Sequence, residues 1–216
     1  MVNWHQIETV LLDMDGTLLD LKFDNEFWQI IVPKAYAVKE GLTVEQAVEK
    51  LAPLFKQQEG LLNWYCLDYW TEQLGLNIAE LKQQQHEDIQ VLPYTRDFLL
   101  ALHATGKRCV LVTNAHFDSL GLKMKKTGLI EFFDGVVSSH DLGYPKEHPE
   151  FWRLLQSIEL FDNQTTLMVD DSLSVLEAAD KHGIAHLVLI THPDSSLPVR
   201  NIEKYTAVKS LREISP

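Results

Sequence analysis

Basic residues are scarce in this chain of 216 residues: 19 Lys and Arg stand against 31 Asp and Glu, a formal charge of −12 with His neutral. So acidic a surface argues against nucleic acid as a partner, because polyanion binders present a basic face. A small phosphorylated ligand stays possible, since one metal ion and a few cationic side chains reverse the field locally. Cysteine is scarcer still. Cys66 and Cys109 lie far apart in apolar surroundings and in no CxxC pattern, so two buried thiols in a reducing compartment are expected rather than a disulfide. The histidines show no ligand spacing, which removes a zinc site. No apolar run approaches the roughly 18 residues of a membrane span. Met1 to Gln6 lacks a basic start followed by an apolar core, so no signal peptide and a cytoplasmic setting are expected. Repeats and low-complexity segments are missing too.

What is present is apolar content of 45%, enough for a globular chain with a substantial core. The most informative stretch runs from Val10 to Asp20. Val10-Leu11-Leu12 is apolar on consecutive positions, as in a strand buried on both faces of a parallel sheet. Asp13 and Asp15 follow at its carboxyl end, where open α/β sheets place their chemistry. Gly16 permits a sharp turn. Two carboxylates this close repel unless a cation lies near them or one is protonated.

From residue 21 to 90 helical spacing replaces strand patterns. Phe23, Phe27, Ile30 and Ile31 share one face, and Val44, Ala47, Val48 and Leu51 another. Thr43 and Gln46 form a capping-box pattern. Pro33 and Pro53 are expected to kink or end their helices. The aromatic run Leu61 to Trp70 reads as one helix ending near Gly75, and Asn77 to Asp88 as a further, Gln-rich helix. Gln90 to Tyr94 reads as a return linker. Thereafter strands and helices alternate. Strands are expected at Arg108 to Thr113, Phe133 to Ser139, Thr165 to Val169 and His186 to Ile190. Helices are expected at Asp97 to Thr105, His116 to Lys126, Glu150 to Ile158 and Leu173 to His182. The tail from Thr191 reads as loop. The expected fold class is therefore α/β, a Rossmann-like parallel sheet with helices on both faces and an inserted all-helical cap. Residues 1–20 and 91–216 would form the core, and 21–90 the cap.

On such a sheet all strand carboxyl ends share one edge. That edge collects Asp13 and Asp15, Thr113 and Asn114, Lys146 in the loop after the third strand, and Asp170 and Asp171. Carboxylates, a hydroxyl and an ammonium gathered there describe a site for a hard cation such as Mg²⁺ and a phosphate.

The motifs Asp13-Met14-Asp15-Gly16-Thr17, Thr113-Asn114, Lys146 and Asp170-Asp171-Ser172, in this order, resemble those of the haloacid dehalogenase-like hydrolases. The resemblance covers nearly the whole chain. It implies Asp13 as nucleophile, Asp15 as acid and base, and Thr113, Asn114 and Lys146 as phosphate-binding groups. It also implies Mg²⁺ held by the Asp13 side chain, the Asp15 carbonyl and Asp171, with Asp170 assisting directly or through water. True dehalogenases of the family typically lack the second aspartate, so Asp15 favours phosphoryl transfer; phosphomutases share all four motifs. Leu18 to Trp28, Leu62 to Trp70, and Thr113-Asn114-Ala115-His116 are similar to the bacterial GMP/IMP 5′-nucleotidase branch. This implies a purine nucleoside 5′-monophosphate as substrate. Phosphoglycolate or a sugar phosphate is the alternative, and a non-catalytic binding protein is disfavoured because every catalytic position is filled. The sequence does not address oligomeric state.

Other residues have plainer readings. Trp28, Trp64, Tyr65, Tyr69 and Trp70 at helical spacing are expected mainly to pack the cap, one or two being candidates to stack on a base. Asp24 and Asn25 fit either a solvated helix start or a reach toward the substrate. His116 fits a helix start, or a contact with phosphate or base. Lys123, Lys125 and Lys126 read as a solvated helix face.

Overall fold

Leu11 shows how the sheet is made. In the computed structural model, which describes residues 2–216, Val10, Leu11 and Leu12 of β1 (Thr9–Leu12) are wholly buried. Val10 and Leu12 join one hydrophobic cluster and Leu11 the other, so the strand feeds a core on each face. The same alternation recurs in β2 (Arg108–Thr113) and β4 (Thr166–Asp170). With β3 (Gly135–Ser138), β5 (His186–Ile190) and β6 (Thr206–Val208) they form a parallel sheet ordered β3-β2-β1-β4-β5-β6. The tail was expected to be loop, yet Thr206 to Val208 pairs with β5. Three residues at a sheet edge, two of them exposed, carry too little alternation to announce a strand.

Between β1 and β2 lie α1 (Lys22–Glu26), α2 (Val32–Glu40), α3 (Val44–Gln58), α4 (Leu62–Tyr65), α5 (Leu67–Leu74) and α6 (Ile78–Gln84). Phe27, Val32, Leu51, Leu67, Trp70, Leu74 and Ile78 make a separate core for them, flanked by Trp28, Phe55, Trp64 and Tyr69. The rings interlock edge to face, Phe55 and Trp70 with centres 4.9 Å apart at 84°. A π-helical turn, Phe27–Ile31, joins α1 to α2, which places Pro33 in the first turn of α2, where a missing N–H costs least. Thr43 and Gln46 form the capping box. Pro53 does not end α3, because it sits on the exposed face while Ala47 and Leu51 anchor the other side. The aromatic run is two helices. Cys66 takes an extended conformation between them, and its sulfur accepts from the Tyr69 amide at 3.4 Å, so it caps α5 and is only half-buried.

The remaining helices clothe the sheet. On one face α7 (Thr95–Ala104) contributes Phe98, Leu99 and Leu102, and α8 (Phe117–Thr127) contributes Met124. On the other, α10 (Pro149–Ile158) contributes Phe151, Trp152 and Leu155, and α11 (Leu173–His182) contributes Val175, Leu176 and Ala179. The short α9 (Ser139–Leu142) follows β3. Among the described residues, no helix is long and apolar enough to cross a membrane. The insertion leaves and rejoins the sheet through a neck: Leu19 bridges Val91 antiparallel, Asp20 N–H donates to Gln90 C=O at 2.9 Å, and Leu92 N–H donates to Leu18 C=O at 2.9 Å.

Candidate active site

The chain order reverses at β1, whose neighbours are β2 and β4, and ligands of open α/β sheets bind at such a switch point. Asp13 leaves β1 there, its N–H donating to Val169 C=O at 3.0 Å. Gly16 turns the chain at φ +89°. A Cβ on it would lie 2.7 Å from the Asp171 carboxyl carbon and 2.9 Å from Pro193 Cβ, so only glycine lets the loop after β1 approach the loop after β4.

Lys146 is the hub. It is 2% exposed, and its ammonium donates to Asp13 Oδ1 at 2.5 Å, Asp170 Oδ2 at 2.7 Å and the Val112 carbonyl at 3.1 Å. Its backbone N–H donates to Asn114 Oδ1 at 2.9 Å, which locks the loop to the end of β2. Thr113 is buried beside it, its hydroxyl accepting from the Ala115 N–H. The Asn114 amide also donates to Glu147 Oε2 at 3.0 Å, and Tyr65 of the helical insertion donates to Glu147 Oε1 at 2.7 Å. Asp170 accepts from the Ser172 N–H at 2.8 Å, while Asp171 accepts from Arg200 at 3.2 Å.

Asp13, Asp170 and Asp171 each present a carboxylate oxygen within 4.8 Å of the others. Burial raises the pKa of all three: Asp13 to about 7, Asp170 upward, and Asp171 well upward, where Asp170 and Asp13 add to the effect. Facing them, Lys146 is held in its charged form above the ordinary lysine range, because Asp13 and Asp170 outweigh the cost of its burial. Buried hard oxygen donors with excess negative charge are the donor set of a divalent cation, so the residues fit a metal ion. The Asp15 carboxylate is outside this triad. It is raised to about 6 by burial and by Asp24, against the pull of Lys123.

A cavity of about 360 Å³ opens over these groups, a size suited to a small organic ligand. Asp13, Asp15, Thr113, Asn114, Lys146, Asp170 and Asp171 all line it, so every residue singled out for chemistry comes to one place. Trp28, Phe55, Trp64 and Tyr65 form its wall on the side of the insertion, while Tyr69 and Trp70 pack away from it. Asn25 and Asp24 also line it, Asn25 tied to Asp194 at 2.7 Å. His116 is buried at its rim, with Nδ1 accepting from the Asp118 N–H.

One expectation is overturned. Lys125 and Lys126 are exposed, but Lys123 is 1% exposed, with its ammonium 2.7 Å from Asp15 and 2.6 Å from Asp24. A neighbouring run of lysines hides an inward one, because helix position rather than composition decides which points in. Lys82 was missed as well; it is 3% exposed and donates to Asp24 at 2.6 Å. The available signal was its helical spacing from the buried Ile78.

The profile of a family described as haloacid dehalogenase-like hydrolase matches residues 7–183. The chain is 40% identical over 215 residues to the GMP/IMP nucleotidase YrfG of Escherichia coli strain K12, covering 100% of this chain and 97% of that one. It is 31% identical over 188 residues to a phosphoglycolate phosphatase of Nitrosospira multiformis, covering 82% and 80%. Among solved structures, a haloacid dehalogenase-type phosphatase from Thermococcus onnurineus superposes with a TM-score of 0.80 at 25% identity, covering 96% of each chain.

Proposed function

The chain belongs to the haloacid dehalogenase-like hydrolase family, and from that premise we propose that it is a Mg²⁺-dependent phosphomonoesterase of purine nucleoside 5′-monophosphates, GMP and IMP, working through an aspartyl-phosphate. The observation that carries the chemistry is Asp13, buried and held by Lys146 in a cavity that also contains a second aspartate. A Asp13 oxygen attacks phosphorus, and the bond from phosphorus to the ester oxygen breaks. Asp15 gives its proton to that oxygen, then takes one from the water that cleaves the acyl phosphate, releasing inorganic phosphate and restoring Asp13. A raised Asp15 suits a group that must be protonated in the first half and ionised in the second. Lys146, Thr113 and the Asn114 region bind the phosphoryl oxygens. Asp13, Asp170 and Asp171, with the Asp15 carbonyl, would hold Mg²⁺, which when bound supplies positive charge that shields Asp13 from the incoming dianion.

Residues 21–90 act in this reading as a cap that excludes water and contacts the leaving group. The purine preference is supported by 40% identity along the whole length to a GMP/IMP nucleotidase and by the aromatic wall of the cavity. Phosphate release from a panel of phosphomonoesters tests it. GMP and IMP should lead; phosphoglycolate or a sugar phosphate leading by a clear margin overturns the purine reading. Asp13→Asn should fold normally by circular dichroism and release no phosphate from any member, and sustained turnover would remove Asp13 as nucleophile.

A further inference from the structure

Two lysines are as buried as core leucines and have no part in the reaction above. A buried ammonium is costly unless it is paired, so its neighbours define its task. Lys123 Nζ on α8 lies 2.7 Å from Asp15 Oδ1 and 2.6 Å from Asp24 Oδ2. Lys82 Nζ on α6 takes the other Asp24 oxygen at 2.6 Å. Both ammoniums lie over aromatic rings, Lys82 at 5.5 Å from the centre of Phe23 and 5.1 Å from that of Phe27, and Lys123 at 5.6 Å from Phe23. The rings attract the cations and keep water from them.

The four groups come from four separate segments: the loop after β1, α1, α6 and α8. A structural ion pair would need only Lys123 and Asp24. The second carboxylate on Lys123 is Asp15, and among the described residues no other side-chain cation contacts it. Lys123 donates a hydrogen bond to Asp24 Oδ2 and makes an ion-pair contact with Asp15 Oδ1, a buried oxygen with no hydrogen-bond partner of its own. We propose that Lys123 is a positioning residue for Asp15: its ammonium fixes the Asp15 carboxylate in the cavity, and it is itself fixed by Asp24 of α1, which Lys82 of α6 holds in place. The aim of Asp15 then depends on the helices of the insertion being seated on the sheet. This rests on the reading of Asp15 as the acid and base.

Leaving groups of different need separate positioning from bulk structure. The ribose oxygen of GMP must be protonated as it leaves, whereas p-nitrophenolate leaves readily without a proton. In Lys123→Met, kcat for GMP should fall by about 100-fold, within the range that general acid–base groups supply. KM should stay nearly constant, and the first-turnover release of nitrophenolate should hold within about threefold, since that step needs little acid. Lys123→Arg, which keeps a donor and the charge, should recover at least about tenfold of the lost kcat. A loss of equal size on both substrates, a loss confined to KM, or no loss overturns the inference. If Lys123→Met does not fold by circular dichroism, Asp24→Asn takes its place. It should lower kcat for GMP about tenfold while keeping the nitrophenolate burst, and an unchanged kcat overturns the inference. Asp13→Asn is assayed alongside. Turnover by that variant would refute the underlying mechanism, whereas an inactive Asp13→Asn with a substrate-independent loss at Lys123 refutes the positioning role alone.

Discussion

Around Lys146 lie three carboxylates: Asp13 and Asp170 share its ammonium, and Asp171 beside them meets only Arg200 at the outer edge. Around Lys123 two carboxylates, Asp15 and Asp24, face two ammoniums, the second being Lys82. The first cluster is short of positive charge even before a phosphate dianion arrives, and its acids are pushed up. The second is balanced. Burial would raise Asp24, but Lys123 and Lys82 outweigh it and hold it at about 2, while Asp15, which meets Lys123 alone, stays raised at about 6. The contrast separates a place that needs a ligand from one that completes itself. Unbalanced buried charge is where a cation and a substrate belong.

The largest effect expected is on the unbalanced side. EDTA should abolish phosphate release from GMP, and Mg²⁺ should restore it; a chelated enzyme that still turns over would break the contrast. Mg²⁺ at a hundred times its Kd should also stabilise the fold by about 2.7 kcal/mol, read as a rise in Tm. Asp171→Asn should lose that rise and Asp24→Asn keep it. Next comes the balanced side. Lys82→Met leaves Asp24 with a single ammonium and should cost about 3 kcal/mol in urea unfolding; a loss near zero would mean the pair does not stabilise the fold. The smallest effect is in acid. Because Asp24 sits at about 2 against an ordinary 3.8, its contribution of about 2 kcal/mol is present above the ordinary value and disappears as pH falls through the folded one. Asp24→Asn should flatten the acid limb of stability there. Asp13 carries the opposite sign: raised from 3.8 to about 7, it makes the metal-free fold less stable as pH rises between those values.

The sheet and the Lys146 cluster were legible because their signals are local. A buried parallel strand declares itself in three consecutive apolar residues, and a carboxylate at its end is placed by topology alone. Lys123 was not legible. Nothing in the run Lys123-Met124-Lys125-Lys126 tells which ammonium meets a carboxylate contributed from residue 24. Pro53 and β6 misled for a related reason: a helix is carried past a proline by the side that packs, and a three-residue edge strand is made by the strand it joins. Cys66 looked like a small buried hydrophobe, yet its sulfur serves as a helix cap.

The neck at Leu19 and Val91 has a consequence in polymer terms. The two ends of the insertion are pinned together by hydrogen bonds directly beside the loop after β1, so the sheet experiences the intervening residues as a closed ring rather than as a tether. Closing a ring of twice the length costs only about 0.6 kcal/mol more. Helices can thus be added, removed or exchanged beyond the neck with little penalty to the sheet. The aim of Asp15 carries no such tolerance, because it depends on where two side chains of the ring, Asp24 and Lys82, come to rest.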